Sequence, residues 1–537
     1  MFPSAFPRTV HRRHSWRIPR GLIIFGVALT PLVTTAIPAA SAQIAGTGHP
    51  RAGSPRAAVE WAGFAANAQH TAVAREWPQP FRRIRWRAKV DLAPVLVHGE
   101  LPIHYGSPMI TAANTVLVPT RVSAKAGFRV VAYSGTSGIR RWSLHTDYRP
   151  PAFTGGPIVW TPPLPAVLTP GNTLAVAGAG GTILVRRHAD SASGAVRRLV
   201  FYGAAQWEKH RSAYDKAVQI TTPLTAGPDG SLYFGFTVTG ATPAPLSSGI
   251  ARINARGHAT WITAAAAADN PAITRVAINC APALSPDGRT VYITVTSPTR
   301  AILAGLGATT LKPRFHVLLK DPVSGRPAMI SPSSSASPTV GPDGDVYYGV
   351  LENPFPSHDG RGWLLHYNAT LTQTKTPGSF GWDNTPSVLP ARAVPGYHGT
   401  SPYLLVSKYN NYFIGPHGDG HNKVAVLDPR ASQKDPYADA RVMKAVQTIL
   451  SPVREPGEPP GARYEWCINS AVVDVADDSV IVNSEDGTLY RWDLAHNTLA
   501  EKIHLNRPRP EAYTPTLIGP DGTVYAMNNA TLYAIGR

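Results

Sequence analysis

Carboxylates, amides and aromatic rings gather in a few short stretches of this 537-residue chain. Trp382-Asp383-Asn384 is one, and Glu465-Trp466-Cys467-Ile468-Asn469 is another. Glu485 and Glu511 follow, and His104 stands far upstream in Ile103-His104-Tyr105-Gly106. Asp383, Glu465, Glu485 and Glu511 are the residue types for general acid–base work or for holding sugar hydroxyls. The same carboxylates serve as partners for backbone amides or arginine. Trp382, Trp466 and Tyr412 offer flat rings that stack on a ligand or pack inside a fold.

A further stretch, Lys408-Tyr409-Asn410-Asn411-Tyr412, runs into His417-Gly418-Asp419-Gly420-His421-Asn422. Two imidazoles and a carboxylate at His417, Asp419 and His421 form the donor set of a metal site. A Gly-rich solvated loop explains the same string. Its oxygens would favour calcium, but the spacing is not that of an EF-hand. The two cysteines, Cys280 and Cys467, lie 187 positions apart. There is no Cys-x-x-Cys-His haem motif.

Something must bring these scattered residues together, and internal repeats supply it. Four segments share one phrase: Pro223 to Tyr233, Pro282 to Tyr292, Pro338 to Tyr347 and Pro515 to Tyr525. Each is an apolar run, a Pro-Asp-Gly turn and an apolar strand carrying Tyr. Pro presets φ and Gly tolerates positive φ, so the unit is a β-hairpin. Degenerate copies begin at Pro108, Pro165, Pro386 and Ser470. The eight starts are spaced by 57, 58, 59, 56, 48, 84 and 45 residues, room for a four-stranded antiparallel unit with loops. A second hairpin also recurs, as in Val130 to Trp142 and Ile250 to Trp261, and its tryptophans are read as packing one unit on the next.

The expected fold is all-β: an eight-bladed β-propeller, or seven blades if one degenerate repeat is misread. The last unit ends after three strands, and Ile84 to Val90 is placed to supply the fourth and close the ring. In such a ring the segments before each Pro phrase, and the loops joining second to third strands, share one face. We call it the mouth face. His104, Trp382, Asp383, Asn384, Asn410, Asn411, Tyr412, Glu465, Trp466, Asn469, Glu485 and Glu511 all map there. The long loops at Lys408 and at Ser451 to Arg463 account for the 84-residue spacing. Cys280 and Cys467 precede blades three steps apart, and a disulfide needs Cα atoms within about 7 Å. Two buried thiols are therefore expected, although an exported chain would favour oxidation.

The repeats over residues 80 to 537 resemble those of pyrroloquinoline-quinone-dependent dehydrogenases and their non-enzymatic propeller relatives. That resemblance implies the fold and is weak for activity. It brings the quinone and calcium into consideration, with Glu465, Asn469 and Asp383 as the residues from which a calcium set would be assembled. The adjacent Cys-Cys disulfide of the quinoprotein alcohol dehydrogenases is absent here. Binding of a small molecule, a glycan or an envelope protein at the mouth face is the reading preferred, with a quinone-dependent dehydrogenase as the alternative.

Composition agrees with a strand-and-turn fold: 52 Pro and 47 Gly, with only 16% charged residues. Residues 1–42 read as an export signal. Five arginines from Arg8 to Arg20 precede an apolar Gly21 to Val33 and an Ala40-Ser41-Ala42 cleavage site. An uncleaved anchor is the competing reading, weakened by Pro31 and Pro38. Residues 43–80 are then an N-terminal arm and 81–537 the propeller. Removing the five signal arginines leaves 46 basic against 33 acidic residues, or +13. That charge suits solubility or anionic envelope polymers and lipid headgroups. The expectation is an exported monomer, periplasmic or extracellular, that does not bind nucleic acid and is not membrane-inserted once the signal is cleaved.

Overall fold

The computed structural model describes residues 59–96, 101, 104–123, 127–151, 163–330, 336–354, 360–411, 414–415, 418–456, 461–466, 468, 470–511 and 514–537. The unit Arg56–Arg537 is an eight-bladed β-propeller built from antiparallel sheets. Blade 1 runs from Met109–Thr111 outward to Arg140–Thr146, and blade 2 from Ala166–Thr169 to Val196–Val200. Blades 3 to 7 repeat the order, each with its first strand innermost. Blade 8 is composite. Thr516–Ile518, Val524–Asn528 and Thr531–Gly536 are joined on the outside by Arg83–Lys89, antiparallel to Thr531–Gly536. N-terminal and C-terminal strands thus close the circle as the repeat phase requires.

Each Pro-Asp-Gly phrase forms the expected turn between first and second strands. Gly230, Gly288, Gly344 and Gly522 sit at φ of 77°, 67°, 88° and 77°. The aspartate caps the turn by accepting from the amide two residues on, as Asp229 Oδ1 does from Ser231 N at 2.9 Å. In the degenerate copies Asn114, Asn172 and Asp478 take the left-handed position instead. The opposite end of the ring from the mouth face is thus a turn face.

The tyrosine in each phrase is a peg between blades. Tyr233 Oη donates to Ala308 O in blade 4 at 3.0 Å, and Tyr292 Oη to Ala369 O in blade 5 at 2.7 Å. Tyr347 meets Tyr403 of blade 6 hydroxyl to hydroxyl at 2.6 Å, and Tyr525 Oη reaches Gly135 O in blade 1 at 3.3 Å. Tryptophans add to this seam. Trp142 Nε1 donates to Ala189 O at 3.0 Å while its ring lies 3.7 Å from the Arg186 guanidinium carbon. The apolar cores lie between neighbouring sheets, so the inner strands are buried on both faces while the outermost strands are partly exposed.

The 84-residue spacing has an additional source. Blade 6 has long outer strands, Lys423–Lys434 and Arg441–Leu450, that extend its outer hairpin. Asp435 beyond the first of these grips the fully buried Arg361 of blade 5 at 2.9 and 3.1 Å. Glu352 meets the same guanidinium at 3.0 Å. Burial pushes Glu352 up to about 7 even so. Two short helices, Ala204–Lys209 and Arg211–Ala217, bridge blades 2 and 3, and one helical turn, Ala264–Ala267, bridges blades 3 and 4.

The N-terminal arm enters the channel. Val59–Trp61 pairs with Met109–Thr111 of blade 1. The chain then winds round the ring, accepting amide hydrogen bonds from one inner strand after another. Leu168 N donates to Ala62 O at 2.7 Å, Leu284 N to Ala68 O at 2.7 Å, and Val340 N to Gln69 O at 2.9 Å. Val388 N donates to Thr71 O and Val473 N to Ala72 O, both at 2.9 Å. Val73–Ala74 finally pairs parallel with Val472–Asp474 of blade 7. Ala65, Ala66, His70 and Ala72 hold left-handed φ values of 44° to 75° to make this curve. Such backbone persists only where surrounding bonds fix it. His70 is buried, with Nδ1–H donating to Pro338 O at 2.7 Å.

Candidate functional site at the mouth face

Three clusters form on the mouth face, and they combine the sequence candidates unequally. The first lies where blade 5 hands over to blade 6. Asp383, in the left-handed region at φ 48°, forms an ion pair with Lys408 on the adjacent strand. Their side chains are 11% and 9% exposed, so two opposite charges are buried against each other. The Lys408 ammonium also lies 6.0 Å from the Trp382 ring centroid. Asn384 is buried, its amide donating to Ser407 Oγ at 2.7 Å. Trp382 remains half-buried at the rim.

The second cluster ties the two long loops together. Asn410 clamps the Trp466 backbone from both sides: its amide donates to Trp466 O at 3.3 Å, and Trp466 N donates to its Oδ1 at 3.2 Å. The Trp466 ring itself faces inward. It is fully buried and edge-on to Tyr490 at 5.7 Å, which is the packing role of the two the sequence left open. Asn411 donates to Asp419 Oδ1 at 2.8 Å, and Asn422 donates to Arg463 O at 2.9 Å. Asp419 accepts from Lys423 Nζ at 3.1 Å and from the His421 amide at 2.9 Å, with His421 Nδ1 at 3.7 Å. Its charge is thus already met by a lysine. Tyr412, His417 and Asn469 lie outside the described residues.

The third cluster is a set of carboxyls between blades 7 and 8. Glu485 sits in the turn between the second and third strands of blade 7, and its amide donates to Glu465 O at 3.0 Å. Glu485 Oε1 accepts from the Glu511 amide at 3.2 Å. Glu511 accepts from Tyr105 Oη at 2.5 Å and from the Asn529 amide at 2.9 Å to each oxygen. Burial, helped by the neighbouring charge of Glu465, drives the Glu485 carboxyl well above the usual carboxylate range. Burial likewise lifts Glu511 to about 7, against the opposing pull of Tyr105, Asn529 and Arg509. At this rim burial favours the protonated form of two carboxyls, Glu485 and Glu511.

His104 crosses the channel. Its Nδ1 and the Asn279 side-chain amide lie 2.6 Å apart, joining the segment before blade 1 to the one before blade 4. Asn279 is itself left-handed, at φ 63°, and its backbone amide donates to Thr221 O at 2.8 Å. Beside it Cys280 is a free, buried thiol pushed up to about 11 by burial. Cys467 lies outside the described residues.

Between this bridge and the arm lies an axial cavity of about 50 Å³. Trp61, Phe64 and Ala65 of the arm line it together with His104, Tyr105 and Asn279. The arm's role in the channel was missing from the sequence reading. Its one signal is compositional: Trp61 to Ala74 is rich in Ala and carries no Asp, Glu, Lys or Arg. Small uncharged side chains are what a segment inside a narrow channel needs.

Solved structures share this architecture. The quinohemoprotein alcohol dehydrogenase of Comamonas testosteroni aligns with a TM-score of 0.53 at 12% identity, over 91% of this chain and 82% of that one. A europium-containing methanol dehydrogenase aligns at 0.50 and 10% identity, over 87% and 89%. The fold is that of the quinoprotein propellers. BamB from Moraxella catarrhalis aligns more loosely, at 0.45 and 11% identity, over 85% of this chain and 99% of that one. No protein-family model and no curated protein matches the sequence. At these identities the shared property is the fold, and the mouth face must be read from its own residues.

Proposed function

We propose that this protein is an exported binding propeller whose ligand or partner is taken at the rim of the mouth face, over blades 5 to 8. One observation carries this reading: the chain's own arm occupies the channel, bonded to the inner strands of six blades. Among the described residues, the cavity between the arm and the His104–Asn279 bridge measures about 50 Å³. Pockets for drug-sized ligands measure roughly 300–1,000 Å³. The rim, by contrast, offers Trp382, Glu465 and the loop that carries Glu455 and Tyr464. A small molecule, a glycan or an envelope protein are the classes such a surface suits.

The second reading is a quinone-dependent dehydrogenase, favoured by fold likeness to the two dehydrogenases. The residues present do not fit that cofactor. The described cavity beside the arm, at about 50 Å³, does not hold a tricyclic quinone. Asp383 is committed to Lys408. Among the described residues no group of three or more His, Cys, Asp or Glu is arranged to hold a metal.

Both readings are tested together. Quinone added with and without calcium should leave its absorbance unchanged, and a dye-linked alcohol oxidation assay should stay silent. In a glycan-array and envelope-protein binding screen, the wild type should give a hit that Trp382→Ala and Glu465→Gln each weaken with folding intact. Quinone uptake with dye reduction would establish the second reading. A hit unaffected by either substitution would remove the rim from the account.

A further inference from the structure

The opposite end of the ring carries a surface that the mouth-face reading does not use. Among the described residues, the two most exposed large apolar side chains are Ile139 at 69% and Trp77 at 67%. Both sit on the turn face where blade 8 meets blade 1. Trp77 lies beside the Asp521-Gly522 turn, because Gln79 N donates to Gly522 O at 2.7 Å and Gln79 Nε2 to Asp521 O at 2.8 Å. Ile139 closes the third-to-fourth strand turn of blade 1. The closing strand joins these two turns: Trp86 Nε1 donates to Gly135 O at 2.9 Å, and Arg85 reaches Thr136 O at 3.0 Å.

Four exposed arginines lie at the same end of the closing strand and the turns beside it. Arg83 begins the closing strand at its turn-face end, and Arg82 directly precedes it. Arg83 is paired with Gly536, whose neighbour Arg537 is anchored through its amide to Gln79 Oε1 at 2.8 Å. Arg140 follows Ile139 directly. Of the acids nearby, Asp521 is occupied by Arg85 at 3.5 Å and Glu501 by Arg491 at 3.2 Å, and Glu76 precedes Trp77, so the four arginines outnumber the acids of the patch. Charges on an outer edge strand also discourage edge-to-edge pairing. That role does not require an exposed Trp and Ile at the same end.

We propose that this patch docks the propeller peripherally on an anionic lipid surface. Arginines supply attraction to phosphate headgroups, and Trp77 with Ile139 supply the shallow interfacial anchors. A soluble polyanion would need the charges only. The described chain also enters the propeller at this end, since Val59 pairs with Thr111 at the turn-face end of the inner strand of blade 1.

The test is co-sedimentation of the full-length protein with phosphatidylglycerol-containing vesicles, with pure phosphatidylcholine vesicles as the baseline for any contribution of the N-terminal apolar stretch. Binding above that baseline should fall more than about tenfold in Arg82→Glu/Arg83→Glu/Arg140→Glu. It should fall clearly in Trp77→Ala/Ile139→Ser, and weaken with salt. Arg187→Glu/Arg197→Glu, an exposed charge reversal on blade 2, should retain it. Equal loss in the blade 2 variant, or no binding above baseline, would overturn the proposal. So would binding to soluble polyphosphate that matches vesicle binding and ignores Trp77 and Ile139. Circular dichroism confirms that each variant is folded before it is scored.

Discussion

Individual side chains decide what the mouth face can do. Asp383 was a candidate acid–base group by residue type, but its partner Lys408 converts it into half of a buried pair. Asp383→Ala should cost about 3–5 kcal/mol in a denaturant titration, because a buried ammonium is left without its carboxylate. Asp383→Leu/Lys408→Met should recover most of that loss. Two other groups give the protein opposite pH responses. Burial lowers His70 to about 4, from 6.5. Its neutral form is what the fold accommodates, so its contribution is complete above pH 6.5 and is lost as pH falls towards 4. The amount is on the order of 3 kcal/mol, and His70→Asn should flatten that acid limb of a stability–pH curve. Glu511 works the other way. Raised to about 7, it favours the fold below pH 4.5, and that contribution is lost as pH rises through 7. Glu511→Gln should therefore lift the alkaline side of the same curve.

At the level of elements, the repeats were legible because a turn has strict chemistry. Pro, Asp and Gly each answer a specific backbone demand, so the phrase survives as text. The phrase tyrosine was visible too, but its job was not. A hydroxyl reaching the next blade depends on how two sheets pack, and the sequence of one hairpin does not contain that angle. Tyr292→Phe should lower stability by about 1 kcal/mol in thermal or denaturant unfolding, by orphaning Ala369 O at the seam between blades 4 and 5. Trp466 marks the same limit. Its neighbours Glu465 and Asn410 looked like a ligand shelf, but the ring turns inward against Tyr490. The arm was the least legible element. It has no period of its own, since it borrows each hydrogen bond from a different blade, and four left-handed residues in it are Ala and His rather than Gly.

For the whole molecule, ring closure and channel filling act together. The closing strand Arg83–Lys89 follows the arm by only a few residues, so the same N-terminal region both seals the circle and fills its centre. Residues distant in sequence then meet at one rim, as Glu465, Glu485 and Glu511 do, while the arm lines the axis. A propeller built this way presents its two faces, and the function must be read there. The most direct test is amide hydrogen exchange across residues 59–74, followed by mass spectrometry of the intact protein's peptides. Protection matching that of the inner strands at Leu168, Leu284, Val340, Val388 and Val473 is the predicted result. Exchange of the 59–74 peptides within seconds, with the inner strands still protected, would mean an open channel and would contradict the account.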